Sequence, residues 1–286
     1  MGQYSSSPLL NRTLLYVFQS PGSIFLKLGP ITIRWYGVMI FLGFVLASTA
    51  AARLAKKLSI NPEQLINCAF ITFLGGVIGA RLYFVALSWP YFQLHPEDIC
   101  AIWKGGLSIH GGIIGGTIAG WLYCISQKLP ALKYADILSA VAPLGQAIGR
   151  WGNFFNSEAF GRPVADNYPL RLFIPQENRP LLYRNNDYFH PTFLYESAWD
   201  FALFLLLYFV IAPRLRKYPG LSFVVYLAGY SLGRLFIEPL RVDSIMIAGA
   251  QAPFVVSAVT LLLSLISILI IFSVNRQNNG DSPSTS

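Results

Sequence analysis

Long apolar runs alternate with short polar connections along most of this chain. No charged residue falls between Arg34 and Arg53, and six further runs of similar length follow. A helix needs roughly 20 residues to cross a bilayer, so the runs have the length of membrane spans. The predicted spans cover about residues 35–53, 64–88, 107–127, 134–150, 192–212, 219–238 and 252–273.

Three stretches break this pattern. Residues 162–189 contain four arginines, three acids and four prolines. They are too polar to span and too long for a turn, which predicts a small head domain outside the bilayer. Residues 1–29 lack the features of a cleaved secretory signal and are interpreted as an external or interfacial arm. Residues 276–286 are predicted to be a disordered cytoplasmic tail, which leaves a transmembrane domain at 30–275.

Composition supports the same class of protein. Of 286 residues, 54% are hydrophobic and 12% are charged, and the mean hydropathy is +0.51. Soluble domains have roughly 25% charged residues, so an all-α polytopic membrane protein is predicted. The net charge of +8 is spread over short loops, which argues against nucleic-acid binding. Cys68, Cys100 and Cys124 show no CxxC spacing and are interpreted as small apolar residues.

The loop charges predict an orientation. Basic charges predominate in the loops after spans one, three and five, where the one acid is Glu63 at the edge of span two, whereas the loops after spans two and six contain several acids. Basic loops remain in the cytoplasm by the positive-inside rule. The N-terminus, the head and the outer ends of spans four and six are therefore expected outside, and the C-terminus inside.

A polar segment, GRWGNFFNSEAFG (149–161), lies where the fourth span should end. It combines an arginine, two asparagines, a serine and a glutamate with three glycines, which let the backbone approach a ligand closely. Polar residues at such a depth commonly mark functional sites, and this set is typical of a site for an anionic headgroup. The alternative is a span end at which Arg150 reaches the lipid phosphates.

Polar residues on four different spans lie at the same predicted depth. They are Tyr36, His110, Arg150, Arg234 and Glu238. Tyr230 lies four residues before Arg234, so these two and Glu238 share one helix face. An ion pair between Arg234 and Glu238 is an alternative without a function, and His110 alone would commonly be a packing residue. Neither alternative explains why four spans bring polar groups to one level.

Two features of the second and third spans have structural interpretations. Arg81 lies midway along the second span, where pairing with Asp136, Glu196 or Asp200 is expected. In the third span, glycines at 112, 116 and 120 predict a face for close helix packing.

Five sequence words occur in the order of the blocks of one family. They are RWYG (34–37), GGLSIHGGIIGG (105–116), GRWGNFFNSEAFG (149–161), HPTFLYE (190–196) and GYSLGRLFIE (229–238). Over residues 30–275 the chain resembles the phosphatidylglycerol:prolipoprotein diacylglyceryl transferases of bacterial lipoprotein maturation. The resemblance implies transfer of the sn-1,2-diacylglyceryl group of phosphatidylglycerol to the lipobox cysteine thiol of a preprolipoprotein signal peptide. Glycerol phosphate is released, and the expected location is the bacterial inner membrane.

The implied reaction needs a base for a thiol whose free pKa is about 8.5, and groups that stabilise the leaving phosphate. Arg150 and Arg234 suit the phosphate because guanidinium binds its oxygens as a fork. His110 is the candidate base, and Tyr36 and Glu158 are the alternatives. The residues expected to bind phosphatidylglycerol are Tyr36, Arg150, Asn153, Asn156, Glu158, Gly161, Tyr230, Arg234 and Glu238.

No cofactor or metal is expected, because the three histidines are scattered and no nucleotide-binding glycine motif is present. His95 is expected in an exposed loop, and His190 at the junction of head and span. Two other classes of protein remain open from the residues alone. An organic-anion transporter or lipid flippase would also use intramembrane arginines, and a lipid-binding scaffold would use the same headgroup site.

Overall fold

A computed structural model describes residues 16–29, 31–214, 218–244, 246–247 and 249–280. Nine helices form most of it. They are α1 (Trp35–Lys57), α2 (Pro62–Leu87), α3 (Trp89–Leu94), α4 (Ile109–Ser126), α5 (Ala131–Asn156), α6 (Thr192–Leu205), α7 (Ala212–Arg214), α8 (Leu221–Ile237) and α9 (Ala252–Gly280). A π-helical segment, Leu206–Ile211, joins α6 to α7 without a break.

Within the described residues, six helices are long and apolar enough to cross a membrane. They are Trp35–Lys57, Pro62–Leu87, Ile109–Ser126, Thr192–Ile211, Leu221–Leu240 and Ala252–Val274. The prediction of a helical, polytopic membrane protein is confirmed. The predicted span at 134–150 lies within α5, which is not among the six, although its 26 residues give a length of about 39 Å. The count of seven spans stays a prediction.

Helix α5 is the centre of the bundle and packs against α1, α6 and α8. At the α1 contact, a Cβ added to Gly43 would lie 3.0 Å from the carbonyl oxygen of Gly145. Because α5 is enclosed by other helices, it carries polar residues that a lipid-facing helix would avoid. We call the end of the bundle where α5 ends and α6 begins the head end, and the opposite end the far end.

Helices α2 and α4 form a separate pair within the bundle. A Cβ on Gly79 would lie 2.8 Å from the Cα atom of Gly115, so these backbones are in direct contact. The predicted close packing of the third span is confirmed. Its tightest contacts involve Gly111 and Gly115, one position before the predicted glycines 112 and 116, and the predicted Gly120, which lies directly against Thr72 of α2.

Residues 162–189, which are called the head below, contribute two strands to a small sheet. Strands β1 (Tyr16–Gln19), β4 (Leu170–Phe173) and β5 (Tyr188–Phe189) form it in the order β1-β4-β5. Strand β1 is parallel to β4, so part of the predicted N-terminal arm belongs to the head sheet. This pairing joins positions more than 150 residues apart and was not predicted. Residues 1–15 of the arm lie outside the described residues.

Two hairpins complete the described strands: β2 (Ile24–Leu28) with β3 (Ile31–Arg34), and β6 (Met246–Ile247) with β7 (Ala250–Gln251). The first leads directly into α1, and Trp35 stacks on Phe155 with 4.4 Å between ring centroids. Helix α9 continues to Gly280, within the segment 276–286 that was expected to be a disordered tail. Residues 281–286 lie outside the described residues.

Each end of the bundle has its own apolar core. Leu54, Leu65, Ile137 and Leu207 belong to the core of the far end. At the head end, Phe154 and Phe193 pack with residues of the head, including Leu172, Ile174 and Phe189. The head is therefore fixed to the ends of α5 and α6, directly beside the segment 149–161.

Candidate active site

Helix α5 ends inside the segment 149–161 with a sharp reversal of the chain. Ser157 and Ala159 have φ angles of +53° and +55°, a conformation uncommon for residues other than glycine. The reversal brings Glu158 back over the last turn of the helix. Its Oε1 accepts hydrogen bonds from Asn153 Nδ2 at 2.9 Å and from Asn156 Nδ2 at 3.3 Å. Three predicted site residues therefore form one cluster.

Arg150 lies one helical turn before Asn153 and points toward α6. Its Nη1 is 2.9 Å from Glu196 Oε2, and its Nε is 3.7 Å from Asp200 Oδ2. Glu196 and Asp200 are four residues apart and so share one face of α6. Both are 3% exposed, which places their carboxylates inside the bundle.

Glu196 is the centre of a charged cluster at the head end. Its Oε1 accepts from Arg234 Nη1 at 2.7 Å and from Arg241 Nη1 at 2.9 Å, in addition to the contact with Arg150. Three arginines from separate parts of the chain thus share one buried carboxylate. A buried charge is tolerated only when it is paired, so these contacts depend on one another.

Each of the other two arginines has an acid of its own. Arg234 Nη2 pairs with Glu238 one turn later, which confirms the predicted i, i+4 contact. Arg241 binds Asp243 with Nε at 2.9 Å and Nη2 at 2.7 Å. Burial opposes the charged form of Arg241, but the bond to Asp243 and the charge of Glu196 outweigh it and raise its pKa.

The three guanidinium groups differ in how many of their nitrogens have a partner. Arg241 uses all three of its nitrogens, and Arg234 uses both terminal nitrogens. Among the described residues, no hydrogen bond or ion pair engages Nη2 of Arg150, and its Nε lacks a hydrogen bond of good geometry. Its side chain is also the most exposed of the three, at 20% against 14% and 11%. Arg150 is therefore the guanidinium available to a ligand.

Three further residues were predicted to bind lipid, namely Tyr36, Tyr230 and Gly161, and each has different surroundings. The Tyr36 ring packs on α5, where a Cβ at Gly152 would lie 2.8 Å from its Cδ2. Tyr230 lies one turn before Arg234 and beside the ring of Tyr226. Gly161 is enclosed, since its N–H donates to the His190 carbonyl and an added Cβ would lie 3.1 Å from the Leu240 oxygen. It shapes the junction with the head and leaves no room for a ligand.

His110 lies in the first turn of α4 and is exposed. The ring of Tyr83 on α2 lies nearby, with 6.2 Å between ring centroids. Helix α4 packs chiefly against α2, and within the described part of the chain no hydrogen bond or ion pair links His110 to Arg150 or Arg234. The candidate base and the arginine cluster therefore lie in two different parts of the bundle.

The prediction of an acid partner for Arg81 was wrong. Its guanidinium binds the main-chain carbonyls of the loop before α4. Of the expected partners, Asp136 accepts from the backbone N–H groups of Gly220 and Phe223 at the start of α8. The other two, Glu196 and Asp200, belong to the cluster of Arg150.

The other two histidines lie as expected. His190 joins the head to α6, its Nδ1 is 3.3 Å from the Tyr195 hydroxyl, and burial lowers its pKa. His95 lies in a loop with 48% of its side chain exposed.

Sequence reasoning missed Glu196 and Arg241 as site residues. Glu196 ends the word HPTFLYE and was considered only as a partner for Arg81. Arg241 lies in the loop after the predicted sixth span, and this loop was used only to predict the orientation. The available signal for Glu196 was an acid inside a predicted span, four residues before a second acid, Asp200.

Comparison with known proteins places the chain in a family. The model of the prolipoprotein diacylglyceryl transferase family matches residues 23–270. Similar curated proteins are named phosphatidylglycerol–prolipoprotein diacylglyceryl transferase. That of Trichormus variabilis is 46% identical over 256 residues, covering 88% of this chain and 90% of its own. That of Thermotoga maritima is 42% identical over 273 residues, covering 94% and 88%. The chain therefore belongs to the prolipoprotein diacylglyceryl transferase family.

Proposed function

We propose that this protein transfers the sn-1,2-diacylglyceryl group of phosphatidylglycerol to the thiol of the lipobox cysteine of a preprolipoprotein. Membership of the family supports a transferase of this class. Arg150, Arg234 and Arg241 converge on Glu196, and this observation assigns the proposed function to individual residues. In the described part of the chain, one edge of the Arg150 guanidinium has no partner.

Arg150 is the proposed ligand of the lipid phosphate. Its Nη2 has no partner among the residues that the structure describes, and Glu196 holds Nη1 at 2.9 Å, so the guanidinium is oriented before the lipid arrives. Donors that are fixed before the reaction stabilise a developing charge without reorganisation. Arg234 and Arg241 each have an acid partner and hold Glu196 in place. Their proposed role is to orient the carboxylate that orients Arg150.

The proposed reaction is a displacement at the glycerol carbon that bears the phosphate. The cysteine sulfur forms a bond to this carbon, the bond from carbon to phosphate oxygen breaks, and glycerol phosphate leaves with the electron pair. The thiol proton passes to His110, the proposed base. Reacting groups must be aligned, so the nucleophile and the leaving group lie on opposite sides of the carbon. The proposal therefore requires His110 on α4 and Arg150 on α5 to act from opposite sides of this carbon.

The cluster of Glu158 with Asn153 and Asn156 is the proposed contact for the headgroup glycerol. Both amides donate to Oε1 of Glu158, which fixes the carboxylate and leaves Oε2 as an acceptor for hydroxyl groups. Tyr36 and Tyr230 flank the site from α1 and α8. Gly161 contributes by allowing the close approach of the head to the end of α8.

The proposed location is the bacterial inner membrane, with the N-terminus and the site facing outward and the C-terminus in the cytoplasm. The basic loops after spans one, three and five support this orientation.

The test uses purified protein in mixed micelles of detergent and phosphatidylglycerol with a lipobox peptide. We expect a peptide whose mass has increased by one diacylglyceryl group, with release of an equal amount of glycerol phosphate. A peptide with serine in place of the cysteine is the control and should remain unmodified. Movement of a labelled lipid between leaflets of a vesicle without thioether formation would instead support a flippase.

A further inference from the structure

Arg81 is a buried arginine whose partners are all main-chain carbonyls of one loop. Its Nε donates to Ile99 at 2.8 Å and its Nη2 to Asp98 at 2.5 Å. Its Nη1 donates to Gly105 at 2.6 Å and to Gly106 at 2.9 Å. The side chain is 7% exposed and lies against the rings of Phe84 and Phe92. One guanidinium thus binds both ends of the loop that precedes α4.

The loop has the backbone shape that these contacts require. Gly105 and Gly106 have φ angles of +89° and +75°, which glycine adopts readily and other residues do not. A Cβ on Gly106 would lie 2.9 Å from Nη1 of Arg81 and 2.8 Å from Cδ1 of Phe84, and it would be nearer still to Cε1 of the same ring. Two residues later, the N–H of Ser108 donates to the carbonyl of Ala80 at 3.0 Å. Consecutive residues of α2 therefore fix the chain up to the start of α4.

The nearest acid in this loop does not pair with Arg81. The carboxylate of Asp98 accepts from Lys104 Nζ at 2.6 Å and from the Tyr91 hydroxyl at 2.7 Å. These hydrogen bonds lower the pKa of Asp98. The loop thus has two separate supports, an ion pair between two of its own residues and a guanidinium that reaches its carbonyls from α2.

We propose that Arg81 is a positioning residue for His110, acting through the carbonyls of Gly105 and Gly106. His110 lies four residues after Gly106 and belongs to the first turn of α4, so the orientation of this turn depends on the loop. Outside this turn, the ring contact of His110 among the described residues is with Tyr83, also on α2. The inference rests on the proposed function of His110 as the base.

A guanidinium suits this role better than an ammonium. It offers five N–H donors in a planar fork, and here they reach four carbonyls in three directions. Lysine has three donors on one nitrogen and cannot bind both ends of the loop in the same way. Arg81→Lys should therefore retain charge and lose the geometry.

The experiment compares Arg81→Gln, His110→Gln and the double variant with the same micellar assay. We expect Arg81→Gln to lower kcat by about 10- to 100-fold, the scale of misplacing a reacting group by roughly 1 Å, with little change in the KM for phosphatidylglycerol. Its rate should recover toward about pH 8.5, as expected for His110→Gln, because the substrate thiol ionises unaided there. The double variant should be within about twofold of His110→Gln, since a missing base cannot be misplaced.

Lys104→Gln is the matched control, because it removes the ion pair of the same loop and leaves the carbonyl contacts of Arg81. It should keep kcat within about twofold. Gly106→Ala disturbs the same contact by placing a Cβ against the Arg81 guanidinium. It should reproduce the pH profile of Arg81→Gln. If Arg81→Gln does not fold, Arg81→Lys and Gly106→Ala replace it in the comparison.

The outcomes separate the two proposals. A multiplicative loss in the double variant, or a pH profile of Arg81→Gln parallel to wild type, would overturn the positioning role and leave the transferase function intact. A pH profile of His110→Gln parallel to wild type would remove His110 as the base, and with it the role of Arg81. Absence of any thioether with the wild-type protein would overturn the proposed function itself.

Discussion

The pair α2–α4 and the group α5–α6–α8 both present polar residues at the head end, but they are held together differently. In α2–α4, glycines let two backbones touch, and the buried charge of Arg81 is satisfied by carbonyls. In α5–α6–α8, charged side chains bind one another around Glu196. The first arrangement fixes a helix end through backbone geometry. The second arrangement orients a charged group that can bind an anion. The two arrangements should therefore be disrupted by different kinds of substitution.

The largest effect on stability is expected from removing the shared carboxylate. Glu196→Ala leaves three arginines without their common partner, and breaking a buried ion pair in this way costs about 3–5 kcal/mol. Thermal unfolding of the purified protein in detergent measures this loss. Glu97→Ala, an acid whose side chain is 69% exposed in the loop before α4, should change little. Equal stability of the two variants would contradict the central role of Glu196.

Loss of the free guanidinium should affect catalysis more than stability. Arg150→Ala should reduce turnover by about 100-fold or more, the scale for removing one fixed donor to a developing anion. Arg150→Lys should recover little because the fork is lost. Arg234→Ala should also reduce turnover strongly, because Glu196 loses a partner that orients it. The control is Arg184→Ala in the head, and near-normal activity of a folded Arg150→Ala protein would exclude Arg150 as the phosphate ligand.

The α2–α4 side is tested by His110→Gln. If His110 takes the thiol proton, turnover near neutral pH should drop by about 100-fold, the lower end of the range for a general base. The deficit should shrink as the pH approaches about 8.5, the pKa of a free thiol. A binding role instead predicts a greater requirement for phosphatidylglycerol and a parallel pH profile. Measurement from about pH 6 to 9 at saturating lipid distinguishes the two roles, with Glu158 and Tyr36 as the next candidates.

A smaller effect is expected at the backbone contact itself. Gly79→Ala places a Cβ 2.8 Å from the Cα of Gly115, and overpacking of this kind costs about 1–3 kcal/mol. Gly37→Ala is the matched control, since a Cβ added to this glycine of α1 would have no described atom within 4 Å apart from its chain neighbours and its own helix backbone. It should be neutral or stabilising by up to about 1 kcal/mol. Similar unfolding temperatures for both variants would show that α2 and α4 are not in contact through these glycines.

The last prediction tests whether the end shared by both regions faces outward. In a cysteine-free background that retains activity, a cysteine at Asn178 in the head should react with an impermeant thiol reagent in intact cells. A cysteine at Lys57, at the end of α1, should react only after the membrane is opened. Arg216 lies in the basic loop after the predicted fifth span and outside the described residues, and a cysteine there should behave like the one at Lys57. The reverse labelling pattern would invert the proposed site.

The sequence by itself determined the features that are local along the chain. Apolar runs longer than about 17 residues specify helices that suit a bilayer, because unpaired backbone groups are too costly in lipid. The contact of Arg234 with Glu238 follows from a spacing of four residues on one helix. The cluster of Asn153, Asn156 and Glu158 likewise forms within six residues, so the polar segment 149–161 contains all of its members.

Only the tertiary structure decided contacts between residues that are distant in sequence. Glu196 meets Arg150 across 46 positions and Arg241 across 45, and neither separation has a periodic signal. The prediction of an acid beside Arg81 was wrong, because its partners are backbone carbonyls. Every loop has such carbonyls, and a sequence does not show which of them face a buried guanidinium. The parallel pairing of β1 with β4 was not predicted, because it too joins residues that are distant in sequence. Hydrophobicity selects the helices, whereas the packing of those helices selects which polar groups meet.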